Sequence, residues 1–215
     1  MAAVIAWNSP FSSATAKIIP ALLAGNSVVL MVSPENSLGM GFLAELLEKA
    51  GLPEGVISVL PADRETSEYL VSHREVDKIA FTGPTEPAVA SPRSRGSNSS
   101  ASAWNWAERP HSMRIAQEEI FGPVLVVIAY DDEDQAVRIA NVSEYGLSGG
   151  VWSADAAHAL AVARRVRTGT VTVNGAPVAL DGPFGGFKAS GIGRERGAVG
   201  LGTLHRVQDH HRLMR

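Results

Sequence analysis

The residue types present in this chain exclude several classes of catalytic and metal-binding site. The sequence contains no cysteine, so a thiolate nucleophile, a disulfide and a thiolate metal site are ruled out. Neither Gly-x-Ser-x-Gly nor His-Glu-x-x-His occurs, the patterns that activate a serine or hold a catalytic zinc. The run DHHR at 209–212 has two histidines that could bind a stray metal, but a solvated tail is the better interpretation. We predict no metal site and no substitute nucleophile.

Polar and aromatic residues at two other places could line a site. Asn8 follows a short apolar run in the stretch WNSP, and Glu119 and Phe121 stand together in EEIFGPV. Taken alone, an asparagine after a strand is a turn residue, whereas an isolated Glu and Phe are a solvated carboxylate and a core side chain. The glycines of GIGRERG at 191–197 have the wrong spacing for a dinucleotide fingerprint and follow no predicted strand. These residues therefore need their context before they indicate a function.

The composition is that of a soluble globular protein. The 215 residues, 45% of them hydrophobic and 19% charged, suffice for a sizeable core in one large domain or two small ones. A net charge of -3 gives no reason to expect binding to nucleic acid or to an anionic membrane. The N-terminus MAAVIAWNSP has no basic region, and no stretch approaches the roughly 18 apolar residues of a membrane span. We expect a cytoplasmic protein.

Hydrophobic periodicity predicts strands that alternate with helices on both sides of an unpatterned segment at 84–111. The predicted strands lie at 3–6, 27–32, 55–60, 77–81, 123–130, 148–153 and 170–174. The predicted helices lie at 12–24, 37–51, 65–73, 131–143 and 155–169. Gly25 is expected to end the first helix. Alternation through short connections indicates an α/β fold with parallel strands and right-handed crossovers. The glycine-rich stretch at 181–197 is predicted to be an ordered loop.

Six stretches, in the same order along the chain, resemble the NAD(P)-dependent aldehyde dehydrogenase family. They are AWNSP, PALLAGNSVVLMVSPENS, KIAFTG, QEEIFGPV, YGLSGGVW and GPFGGFKASGIGRERG. The resemblance covers about residues 1–83 and 112–207, and no one short motif has to carry it. It implies remnants of the aldehyde dehydrogenase fold: a Rossmann-like half of the NAD(P)-binding domain at 1–83 and the C-terminal part of the α/β catalytic domain at 112–215.

Members of this family oxidise an aldehyde to a carboxylic acid. A Cys thiolate attacks the carbonyl, a side-chain amide and a backbone N–H hold the oxyanion, hydride passes to NAD or NADP, and a Glu activates water. By resemblance, Asn8 is the oxyanion amide and Trp7 lines the cofactor cleft. Gly83 lies where the pyrophosphate approaches a helix N-terminus. Glu119 would bind the nicotinamide ribose, and Phe121 would lie beside the nicotinamide ring.

The chain departs from the family where chemistry is done. Met31 stands where the family commonly has a lysine that holds the adenosine ribose, and Pro84 replaces a serine near the phosphate. The Glu-Leu-Gly-Gly stretch with the general base, the segment with the nucleophilic Cys and the family's N-terminal portion have no counterpart. The resemblance therefore implies an aldehyde dehydrogenase relative that is catalytically inactive, a pseudoenzyme whose cofactor binding is weak or lost.

The segment 84–111 resembles coding sequence translated in a shifted frame. Trp104-Asn105-Trp106-Ala107 is encoded by bases that, one frame over, spell Glu-Leu-Gly, the start of the missing general-base motif. We therefore expect residues 85–110 to be a frame-shifted translation, with a deletion that restores the frame near Ser112; the alternative is a low-complexity linker. Such a stretch was never selected for periodicity, so disorder is predicted.

Two other functions stay open. A non-catalytic interaction protein would associate with itself or with a full-length relative, and an active enzyme with altered chemistry would form NAD(P)H from an aldehyde. Because the halves lack their usual neighbours, their parallel-sheet edges are expected to be uncovered, which predicts marginal stability and association.

Overall fold

The computed structural model describes residues 1–83 and 113–204, together with the backbone of 106–108. Its strands are β1 Ala2–Val4, β2 Val28–Val32, β3 Ile57–Pro61, β4 Ile79–Phe81, β5 Trp106–Glu108, β6 Leu125–Val127, β7 Ser148–Val151 and β8 Thr170–Val173. Its α-helices are α1 Pro10–Leu23, α2 Ser37–Lys49, α3 Arg64–Ser72, α4 Arg114–Gln117, α5 Glu133–Val142, α6 Ala156–Ala163 and α7 Gly197–Gly202. Short 3-10 helices cover Pro34–Asn36 and Lys188–Ser190. The predicted α/β alternation is confirmed.

The first half forms a four-stranded parallel sheet with strand order β3-β2-β1-β4. In this sheet Val4 of β1 lies opposite Met31 of β2 on one side and Phe81 of β4 on the other. The order reverses at β1, because the chain adds β2 and β3 on one side and β4 on the other. In open α/β sheets the crevice beyond the carboxyl ends of the strands at such a reversal is the usual ligand site.

Helix α1 packs on one face of this sheet. It begins with Pro10 at its first turn, a position where the missing N–H costs nothing. Its buried Ala14, Ile18 and Ala21 recur at helical spacing and join Leu30 in one apolar cluster. The chain then leaves the helix through Gly25 at φ 77°, so the predicted stop signal is confirmed. The opposite face is covered from α3, whose Val71 belongs to a second cluster.

The second half contains two parallel strand pairs, β5 with β6 and β7 with β8. Helix α6 covers the second pair with buried Ala159 and Ala163. The predicted strand at 123–130 is only three residues long, and the helix predicted at 155–169 ends at Ala163. The helix ends early because the chain turns after it, and Gly169 N–H donates to the Gly146 carbonyl, which begins the pairing of β7 with β8.

The described part of the unpatterned segment 84–111, residues 106–108, is a strand that the sequence did not predict. Strand β5 pairs Trp106 with Leu125 and Glu108 with Val127 in parallel register. The rest of the segment, including Pro84, lies outside the described residues, as does the run at 209–212. The frame-shift hypothesis and the predicted disorder therefore stay predictions. Among the residues that the structure describes, no helix has the length and apolar content needed to cross a bilayer, and no cluster of His, Asp and Glu could hold a metal ion.

Candidate functional site

The residues predicted to line the cofactor cleft follow strands at the carboxyl edge of the four-stranded sheet. Trp7 and Asn8 come after β1, and Gly83 comes after β4. Because β1 and β4 are parallel neighbours, their carboxyl ends meet at the same edge. The strand order also reverses at β1, so these residues border the crevice in which α/β sheets bind their ligands.

Two aromatic rings from distant parts of the chain meet beside this crevice. The rings of Trp7 and Phe121 are tilted by 60° with their centroids 5.4 Å apart, an arrangement that aromatic pairs prefer. Each ring keeps about half of its surface exposed. The Asn36 side-chain amide donates to the Trp7 carbonyl over 3.0 Å, which ties the loop after β1 to the start of α2. The pair therefore forms an exposed apolar surface that is fixed in position and that a planar heteroaromatic ring can contact.

The two polar residues predicted for the site are both solvent-exposed. Asn8 precedes Ser9, the last residue before α1, and Glu119 lies two positions before Phe121. An amide that stabilises an oxyanion is worth most where water is excluded, so an exposed Asn8 lacks that advantage in this structure.

Gly83 lies against the aromatic ring of its own strand end. A Cβ at this position would come within 2.8 Å of Phe81 Cζ, closer than real Cβ contacts allow. The preceding Thr82 is buried, and its N–H donates to the Val4 carbonyl over 3.0 Å. Glycine therefore leaves the backbone uncovered at the end of β4, where a ligand could approach closely.

Met31 lies inside the sheet and contributes nothing to the crevice. It is 1% exposed and lies between Val4 and Leu60 of the neighbouring strands. A lysine at this position could extend a charged head to the strand edge, whereas a thioether stays in the core. At β2 the crevice is therefore bordered by a strand whose buried thioether presents no charged group to it. No residue of the sequence can supply a thiolate.

An ion pair that the sequence analysis missed joins the two halves. Lys17 Nζ of α1 contacts Glu195 Oε1, and their side chains are 1% and 18% exposed. The signal was present in the sequence, since Lys17 lies three residues after Ala14 and four before Ala21, on the face of α1 that packs on the sheet. A lysine on a core face must find a partner, because an unpaired buried charge is costly.

The glycine-rich stretch that carries Glu195 is an ordered loop, as predicted. Phe184 and Glu195 exchange two backbone hydrogen bonds of 2.7 Å each. The guanidinium of Arg194 lies 5.3 Å from the Phe187 ring centre, and that of Arg196 lies 4.9 Å from the Phe184 ring centre. Cation–π contacts of this kind stabilise the loop internally.

A small cavity separates this loop from the outer edge of β4. Its volume is about 240 Å³, and its lining includes Lys17, Lys78, Ala80 and Arg194. Burial lowers the pKa of Lys78, whose Nζ donates to the Thr203 carbonyl. Sites for small molecules usually measure about 300–1,000 Å³, so this cavity is too small for a dinucleotide. The crevice at the carboxyl edge remains the candidate site.

The chain is similar to known aldehyde dehydrogenases along nearly its whole length. The profile of the "Aldehyde dehydrogenase family" matches residues 1–90 and 106–209. The geranial dehydrogenase of Castellaniella defragrans is 31% identical, and the match covers 98% of this chain and 69% of the relative. That alignment runs over 328 positions although the chain has 215 residues. At least 113 positions (328 minus 215) therefore have no counterpart here.

Solved structures give the same result for the fold. The aldehyde dehydrogenase of Mycobacterium tuberculosis complexed with NAD+ superposes with a TM-score of 0.83 at 27% identity, over 94% of this chain and 67% of that one. A variant of aldehyde dehydrogenase C of Pseudomonas syringae complexed with NAD+ and octanal has a TM-score of 0.86 at 26% identity, over 93% and 66%. The matched length is about two thirds of these proteins.

Proposed function

Because the chain belongs to the aldehyde dehydrogenase family, we propose that it is a non-catalytic member that keeps the nicotinamide end of the cofactor crevice. The observation that carries this proposal is the contact between Trp7 and Phe121, two exposed rings brought together at the strand reversal. The absence of cysteine from the sequence argues against the family's covalent route. The chain is thus best described as a pseudoenzyme with a partial nucleotide site.

The residues that are present would bind one end of NAD or NADP. The nicotinamide ring would lie against Trp7 and Phe121, and the Glu119 carboxylate would accept hydrogen bonds from the adjacent ribose hydroxyls. The backbone at Gly83 would admit the pyrophosphate. When bound, such a nucleotide supplies hydride acceptance and nothing else. The aldehyde expected from the family, like the cytoplasmic location, stays a prediction from the sequence.

The chemistry fails at the first step. Asn8 would donate to an oxyanion, but that oxyanion forms only after a nucleophile has added to the aldehyde carbonyl. In a serine protease, removal of the nucleophile alone lowers kcat by about 10⁶-fold. We expect a similar loss here, since nucleophile and general base are absent together.

Affinity for the nucleotide should be reduced as well. A hydrogen bond to a charged group contributes about 1.5–3 kcal/mol, and Met31 offers no such group at β2. The corresponding loss in affinity is about 10- to 150-fold relative to a site with lysine at this position. Nucleotide binding should therefore be weak but measurable.

NADH titration followed by fluorescence tests the retained crevice. We expect saturable binding that Trp7→Ala weakens at least about tenfold and that Trp152→Ala leaves unchanged. Trp152 is the matched control because it is an exposed tryptophan after a different strand, β7. Equal binding by both variants, or no saturable binding at all, would remove the nucleotide site from the proposal.

An activity assay tests the catalytic part separately. The purified chain, incubated with octanal and excess NAD+ or NADP+, should give no absorbance increase at 340 nm above the blank. Suppose instead that NAD(P)H forms only with aldehyde, at a rate proportional to the protein concentration, and that Asn8→Ala abolishes it. The chain would then be an enzyme with altered chemistry.

A further inference from the structure

The cavity of about 240 Å³ between the glycine-rich loop and β4 lies beside the amino end of that strand. Lys78 lines the cavity and immediately precedes β4, whereas Trp7 and Gly83 follow their strands at the opposite, carboxyl edge of the sheet. None of the residues that line the cavity belongs to the proposed nucleotide site. The cavity is therefore a separate feature of the molecule.

The lining of this cavity has an excess of positive charge. Three half-buried cations line it and have no ion-pair partner in the part of the chain that the structure describes: Lys78, Arg194 and Arg196. Lys17 and Glu195 also line the cavity, but they neutralise each other. Asp77 is exposed and is not part of the lining. Like charges that are crowded together in a partly desolvated space attract an anion.

The cations are held in position by neutral acceptors. The Lys78 ammonium donates to the carbonyl of Thr203, which also lines the cavity. Arg194 Nη1 donates to the Gly186 and Gly193 carbonyls over 2.9 and 2.8 Å. An ammonium and a guanidinium both have further N–H groups. Both side chains are therefore fixed in place, while their charges stay uncompensated and donors stay available for a ligand.

The backbone of β4 adds a neutral donor. The Ala2 N–H donates to the Lys78 carbonyl over 2.8 Å, and the Thr82 N–H donates to the Val4 carbonyl over 3.0 Å. Because alternate residues of a strand direct their backbone groups to opposite sides, the N–H of Ile79 points away from β1, toward the cavity that Ile79 lines. Such an N–H on an outer strand edge can bind an added acceptor.

We propose that this cavity binds a small tetrahedral oxyanion, either inorganic phosphate or the phosphate group of a small monoester. Hydrogen bonds between charged donors and phosphate oxygens are about twice as strong as neutral ones. A doubly charged anion also balances more of the positive excess than a carboxylate does. The volume accommodates a phosphate and bound water, since one water needs only about 10–15 Å³. Burial lowers the pKa of Lys78, and a bound anion would offset that loss of solvation.

Calorimetric titration of the whole chain with inorganic phosphate, at constant ionic strength with chloride as the blank, tests the site. We expect saturable binding that Lys78→Gln weakens at least about tenfold, because a charged donor is lost. Glutamine can still donate to the Thr203 carbonyl, so this variant should fold. Lys78→Arg, which keeps the charge, should retain most of the affinity.

Lys49→Gln is the matched control, because it removes an exposed lysine of α2 that does not line the cavity. It should bind phosphate like the native chain. Equal weakening by Lys78→Gln and Lys49→Gln, or the absence of saturable heat from the native chain, would overturn the proposal.

Three further titrations identify the ion and its location. Trp7→Ala should leave the affinity for phosphate unchanged, and its loss in that variant would move the anion to the nucleotide crevice and refute the proposal. Failure of the native chain to bind NADH would leave the phosphate result intact, so the two proposals can fail separately. Methyl phosphate that binds as tightly as inorganic phosphate would identify a monoester, and a clear preference for inorganic phosphate would identify the free ion. Acetate that binds as tightly as phosphate would contradict a site for a doubly charged oxyanion.

Discussion

Removal of the Glu195 carboxylate should destabilise the protein strongly, because it leaves the Lys17 ammonium buried without its ionic partner. The Lys17 side chain is 1% exposed, so water cannot replace the lost contact, whereas the Glu195 side chain is 18% exposed. Breaking a buried ion pair from one side typically costs about 3–5 kcal/mol. We expect Glu195→Gln to cost about 3 kcal/mol, at the low end of that range, since glutamine still accepts a hydrogen bond.

Removal of the other partner of the ion pair, Lys17, should lower the free energy of unfolding by less. Lys17→Met keeps an unbranched apolar stem in the same space and removes the charge that cannot reach water. The Glu195 carboxylate that remains is partly solvated, so we expect a loss of about 1–2 kcal/mol. The double variant should lie closer to the native chain than Glu195→Gln does, because an apolar replacement of a buried pair is often neutral.

Urea unfolding followed by circular dichroism at 25 °C measures all three variants. For an m value of about 1–3 kcal/mol/M, a loss of 3 kcal/mol moves the midpoint by about 1–3 M. The reasoning is wrong if Glu195→Gln changes the free energy of unfolding by less than about 0.5 kcal/mol, or if Lys17→Met costs more than Glu195→Gln does.

Three further substitutions probe the backbone and the helix ends. Gly169→Ala should prevent folding or lower the melting temperature sharply, because its Cβ would come 1.6 Å from the Gly185 carbonyl oxygen; a melting temperature near the native value would contradict this close approach. Gly41→Ala, with open space around it inside α2, should instead raise the free energy of unfolding by about 1 kcal/mol, and thermal unfolding of the two glycine variants side by side is the comparison. The N–H of Thr66 donates to Asp63 at the start of α3 and lowers the pKa of Asp63, so its stabilising contribution is present above the unfolded-state pKa and is lost as pH falls through the folded-state value. At neutral pH the melting temperature of Asp63→Asn should therefore be lower than the native one, and the two should converge in acid. A difference that stays constant across pH would refute this.

Local patterns predicted the elements but not their neighbours. The apolar runs at β2 and β4 and the glycine after α1 were sufficient for an α/β fold, because each reports burial and chain reversal within a few residues. The strand order β3-β2-β1-β4 was not predicted, since periodicity shows that a strand is buried and not which strand lies beside it. Strand β5 was missed for a related reason, because three residues are too few to show alternation.

The sequence predicted residues of the candidate site only where short family motifs identified them. Trp7 and Phe121 were placed in one cleft by resemblance, and the structure brings their rings together. Lys17 and Glu195 were overlooked because each resembles an ordinary surface charge until the fold joins them.

The contact between Lys17 and Glu195 joins residues 178 positions apart, and this span has a consequence for how the chain is made. At synthesis rates of about 5–20 residues per second, Lys17 leaves the ribosome roughly 10–35 s before its partner. Helices form within microseconds, so α1 can exist through that interval with a hydrated cation on the face that later packs on the sheet. Dehydration of this lysine must therefore be a late event, and the first half reaches its final packing only when nearly the whole chain has emerged.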